Sequence, residues 1–107
     1  MFSVREFLNA IAEALAERGT TSRELLSLQF EAESGNLRVV VGRERRPTNY
    51  PSLEDILRMV CHTCEEHGIG VSELERITFL DADINLECVR FEGKAFYTFP
   101  IQASTVH

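Results

Sequence analysis

The chain has 107 residues, a formal net charge of −6 and an ordinary globular composition, 44% hydrophobic and 26% charged. That length suits one domain with a modest core, and the balance of residues excludes a disordered or low-complexity segment. The acidic balance argues against a nucleic-acid surface or an anionic membrane, both of which need a basic stripe, and leaves basic protein partners as the expectation.

The opening "MFSVREFLNAIAEAL" carries charge by residue 5 and has no apolar core of a secretory leader. The three cysteines then read as reduced thiols in a cytoplasmic protein. Val4, Phe7, Leu8, Ile11 and Leu15 form one apolar stripe at helical spacing. Ser3 is placed as the N-cap, with Glu6 three residues on as in a capping box, and Gly19 is placed as a left-handed C-terminal cap. "SLQFEAE" alternates apolar and polar residues, and "SGN" turns the chain into "LRVVV", which predicts a β-hairpin. "GRERRPTNYP" is Arg-rich and broken by prolines, as a connecting loop is.

The second half repeats the plan. Ser52 caps a helix whose stripe is Leu53, Ile56, Leu57, Val60 and Cys64, and Gly68 ends it. "RITFLD" and "NLECVRF" predict a second hairpin around "AD", after which "EG" turns into a further strand, "KAFYTFP". A shift of 49 positions lays residues 3–42 on 52–91 without a gap, and ten of those forty positions are identical. Among the ten are Gly19/Gly68, Phe30/Phe79, Asn36/Asn85, Leu37/Leu86 and Val40/Val89. The reading is a single α+β domain over 1–107, with units 3–42 and 52–99 joined by loop 43–51. Its order is αββ-αβββ, with two helices on one face of a mostly antiparallel five-stranded sheet.

Three groups of residues suggest chemistry. Cys61, Cys64 and His67 stand at successive three-residue steps and could supply three metal ligands or a redox pair. The repeat places the two cysteines opposite Ala12 and Leu15, which favours core packing, with no metal and no cofactor. "DADIN" mimics a calcium loop through Asp81, Asp83, Asn85 and Glu92, but Leu86 stands where that loop needs glycine. Arg43, Arg45 and Arg46 could grip an anion. No catalytic triad, phosphate loop or dinucleotide fingerprint is present.

Alternation along the strands assigns Leu28, Phe30, Leu37, Val39, Ile77, Phe79, Leu86, Cys88, Tyr97 and Phe99 to the helix side. It leaves Val40, Leu80, Val89, Phe91 and Phe96 on the opposite face, an apolar excess that marks an interface. The functional expectation is therefore a small, acidic, non-catalytic protein-binding module of an adaptor, inhibitor or chaperone-like kind, whose partner is a second copy of itself. The alternatives are a ligand-binding regulator or small enzyme with an anion site near Arg43, Arg45 and Arg46, and a metal- or thiol-dependent protein using Cys61, Cys64 and His67.

Overall fold

The computed structural model describes residues 3–31, 34–42, 46–47 and 49–101. Helix α1 covers Val4–Glu17, strands β1 and β2 cover Leu25–Glu31 and Asn36–Val41, and helix α2 covers Leu53–His67. A short 3-10 turn at Val71–Glu73 leads into β3, Leu74–Phe79, then β4, Asp83–Arg90, and β5, Gly93–Pro100. All four pairings in the five-stranded sheet are antiparallel, and the strand order is β2-β1-β3-β4-β5. The fold is α+β, with the αββ-αβββ order read from the sequence.

The helices start and stop where their chemistry requires. The hydroxyls of Ser3 and Ser52 accept from the backbone N–H groups of Glu6 and Asp55, both at 3.1 Å. Each satisfies one orphan donor of its first turn. Gly19 and Gly68 take positive φ angles of 78° and 65° just past the helices. In both places the chain folds back so that the N–H of the next residue reaches a carbonyl five residues earlier: Thr20 to Leu15 and Ile69 to Cys64. This ending satisfies carbonyls the helix cannot.

One face of each helix is buried on the sheet. Leu8, Ile11 and Leu15 of α1 and Ile56, Leu57, Val60, Cys61 and Cys64 of α2 meet Leu25, Leu28, Ile77, Phe79, Ile84, Leu86 and Cys88. Removing each large side chain from water contributes about 1.5–3 kcal/mol, so this single layer between helices and sheet is the main source of stability. All ten residues assigned to the helix side from the alternation are buried or half-buried.

The two units are related by a local twofold axis. β1 and β3 are antiparallel neighbours, and Leu28 pairs with Ile77, its own counterpart at the offset of 49. The axis therefore passes between those two residues, and it exchanges α1 with α2 and β2 with β4. Both hairpins carry an irregularity at equivalent points, between Leu25 and Ser27 and between Leu74 and Arg76. The short turns before β1 and β3 also match: Thr21 N–H donates to Glu24 and Gly70 N–H to Glu73.

The offset does not survive the hairpin turns. Leu28 pairs with Val39, but Ile77 pairs with Leu86, so Val39 corresponds to Leu86 at an offset of 47. The second turn holds only Asp81 and Ala82, because Leu80 N–H already donates to Asp83, which begins β4. Three of the ten identities, Asn36/Asn85, Leu37/Leu86 and Val40/Val89, thus join residues that are not equivalent. What β2 and β4 share is the apolar alternation: Leu37, Val39 and Val41 correspond to Ile84, Leu86 and Cys88. The same register removes the calcium-loop reading, since Asp83 and Asn85 lie inside a strand.

Candidate functional site

The connecting loop is where the structure departs most from expectation. Arg43 and Arg45 lie outside the described residues. Arg46 is 6% exposed and points inwards, at the end of the sheet where β1 and β3 separate. Its Nη1 donates to the carbonyls of Ser22 and Leu25, at 2.8 and 2.6 Å, and its Nη2 to that of Phe79, at 2.5 Å. The guanidinium thereby bridges two strands that pair with each other only over Ser27–Gln29 and Arg76–Thr78. The ring of Tyr50 packs against the cation, 4.6 Å from ring centre to guanidinium carbon. Burial raises the Tyr50 phenol above its ordinary pKa, with Arg46 opposing. Arg46 N–H donates to the Arg23 carbonyl, Arg23 Nε donates back to the Arg46 carbonyl, and the Ser22 hydroxyl donates to the Pro51 carbonyl, which holds the rest of the segment down. Arg46 is thus a buried structural cation, neither a solvated loop residue nor a free anion ligand. Its charge is met by carbonyl dipoles, because the one carboxylate that pairs with it among the described residues, Asp81, is 93% exposed at 3.4 Å.

The thiols are core residues. Cys61, Cys64 and Cys88 are all buried and free. Burial pushes the Cys64 thiol up to about 12, with the neighbouring Cys61 and Cys88 adding to the effect. Burial likewise raises Cys61 and Cys88. A thiol held protonated is a poor nucleophile and a poor ligand. His67 packs against Tyr97 of β5, with ring centres 4.4 Å apart and the planes tilted by 33°. Among the described residues no three His, Cys, Asp or Glu side chains converge to hold a metal ion.

The five residues expected to form one apolar patch are exposed but not contiguous. Val40 is on the edge strand β2 and Phe96 on the opposite edge strand β5. Four strand spacings, about 19 Å, separate those edges. The register across the middle of the outer face aligns Arg38, Gln29, Arg76, Glu87 and Phe96, and beside that row Val40, Ser27, Thr78, Asn85 and Thr98. The centre of the face is therefore polar. Phe91 is not on the face at all; it stands fully exposed in the turn between β4 and β5.

Two smaller groups remain at opposite ends of the sheet. At the end near Arg46, Val40 and Leu80 are joined by Leu26, which the strand irregularity turns outwards and which alternation alone did not reveal. At the other end Val89 lies diagonally across from Phe96, with Phe91 just beyond. This second group borders β5, eight residues long and, among the described residues, unpaired along its outer edge.

No helix among the described residues is long and apolar enough to cross a membrane. No protein-family description, curated protein or solved structure matches the chain.

Proposed function

We propose that the protein is a non-catalytic protein-binding module of the cytoplasm that self-associates through the edge of β5. The observation that carries this reading is Phe96, 61% exposed in the middle of that free edge strand. An unpaired strand edge is a template for another strand, and proteins that must avoid pairing blunt it with charge, proline or brevity. β5 has Lys94 at its start and Pro100 at its end, and nothing of the kind from Ala95 to Phe99. The other edge, β2, is shorter and carries Arg38 near its centre. Antiparallel pairing of β5 with its copy would extend the sheet about a twofold axis, the commonest closed arrangement. Phe91, Val89 and Phe96 would add apolar contact beside the new ladder, towards the roughly 800 Å² per partner that a stable interface needs.

The six net negative charges of each copy oppose association. That repulsion is screened beyond about 8–10 Å at ordinary ionic strength, whereas strand pairing acts at contact. Light scattering on the purified chain at micromolar concentration should give twice the monomer mass, and Phe96→Lys should return it to one while its circular dichroism stays that of the folded chain. A wild-type protein that is monomeric at that concentration refutes the reading.

A further inference from the structure

The local twofold implies that the slot filled by Arg46 has a counterpart, and it does. Arg46 touches Ser22, Leu25, Phe79 and, through its backbone, Arg23. The axis carries those positions onto Val71, Leu74, Phe30 and Ser72. The carbonyl of Val71 already accepts from Leu74 N–H, and the other three residues line an open groove of about 510 Å³ at the other end of the β1–β3 seam, together with Gln29, Glu31, Glu73, Glu75 and Val89. The groove is open because the two units continue differently. After β2 the chain crosses the end of the sheet and drops Arg46 into the first slot. After β4 it turns at Phe91 and Glu92 into β5, and among the described residues no segment crosses the second slot.

We infer that this second slot receives an arginine side chain carried on an extended segment of a partner protein. The first slot shows how the seam binds a guanidinium: diverging strands leave carbonyls aimed into a gap that a planar fork can span. In the second slot carboxylates surround the equivalent gap. Glu31 and Glu75 stand where the first slot has Leu80 and Leu26, so the one end of the outer face is acidic where the other is apolar. These carboxylates are not idle. Glu31 contacts Arg38, Glu75 contacts Lys94, and Glu73 binds Arg90 and caps Gly70. Arg38 and Lys94 are well exposed and their pairs are weak, so an incoming guanidinium can share or replace them. Arg90 is better buried and stays in place. This groove adjoins the β5 surface, sharing Val89 with it, but does not include the strand edge itself, and its occupation does not require self-association.

The probe is a synthetic peptide with the sequence of residues 42–51, which carries the arginine the first slot already accepts. It is titrated into the isotopically labelled chain at fixed ionic strength and followed by amide NMR. The expected result is saturable shifts at Phe30, Glu31, Ser72, Glu73, Leu74, Glu75 and Val89. Replacing the peptide's three arginines by lysine keeps its charge and removes the fork, and should weaken binding about tenfold. The double variant Glu31→Gln/Glu75→Gln, altered only at surface carboxylates, should weaken it by about the same factor with an unchanged melting temperature. Three results would overturn the assignment. One is equal binding of the lysine peptide, which would signal general attraction of a basic peptide to an acidic chain. Another is shifts confined to Ser22–Leu25 and Phe79, which would mean that the peptide only displaces the chain's own segment. The last is no saturable shift up to millimolar peptide.

Discussion

Replacing Arg46 tests whether one loop residue holds the two halves of the sheet together. Arg46→Ala leaves the carbonyls of Ser22, Leu25 and Phe79 without their donor at the point where β1 and β3 part. A buried acceptor stranded in this way costs about 1–3 kcal/mol. The three costs do not simply add, because water enters the vacated slot, and a total of about 3–5 kcal/mol is expected, as for one partner removed from a buried pair. Set against a total stability of about 5–15 kcal/mol for a domain of this size, that is a large share. Equilibrium urea unfolding should show a much lower midpoint with an unchanged slope.

Arg46→Met is the sharper variant. Buried ion pairs can sometimes be exchanged for apolar side chains at no cost, because both charges leave together. Here the partners are backbone carbonyls, which no substitution removes. Arg46→Met should therefore be destabilised nearly as much as Arg46→Ala although it refills the slot. Asp81→Asn should change stability by no more than about 0.5 kcal/mol, since an exposed carboxylate at 3.4 Å contributes little. An Arg46→Met protein within about 1 kcal/mol of wild type would refute the reasoning.

The cysteines give two further expectations. The native protein should be nearly inert to a thiol reagent at pH 8 and release three equivalents on denaturation. Because burial raises the Cys64 thiol from its ordinary 9.0 to about 12, its share of stability is complete below pH 9 and is lost as pH climbs towards 12. Rapid labelling of the native chain, or stability that rises over that window, contradicts the core assignment. Cys64→Ala should cost about 1–3 kcal/mol through the cavity it leaves, and Cys64→Val less; equal costs in thermal unfolding would mean that packing is not what Cys64 provides.

Local chemistry made much of the fold legible in the sequence. Ser3 and Ser52, Gly19 and Gly68 mark helix ends by what they do to the backbone, and the apolar stripes between them admit one face. The strands were legible as alternation, which tells the side a residue faces and nothing about which strands are neighbours. That is why Val40, Leu80, Val89, Phe91 and Phe96 read as one patch: only the order β2-β1-β3-β4-β5 separates them. Leu26 escaped because a strand irregularity resets the alternation. The two-residue difference between the hairpin turns was hidden by three coincidental identities beyond it. Arg46 was illegible for a different reason. A polar residue in a polar loop gives no sign that it will be buried, and its acceptors are backbone groups that any sequence would supply.

The seam between the units connects these points. β1 and β3 share three residue pairs, whereas β4 and β5 share eight. A sheet assembled from two similar halves meets its widest mismatch there, because each strand is twisted and irregular at its outer end and the two ends diverge. Hydrophobic burial under the helices holds the middle of the seam, where Leu28 and Ile77 are fully buried. It cannot satisfy the carbonyls exposed where the strands part, since those require donors. The first unit supplies one internally, by a loop that returns across the gap. The second unit spends its continuation on β5 instead, which widens the sheet and leaves its own gap open beside three glutamates. An extra strand at one edge and an unfilled slot at the seam are thus two consequences of one difference in how the halves continue. The surfaces it creates, a strand edge and an acidic groove, are the two on which the proposed contacts rest.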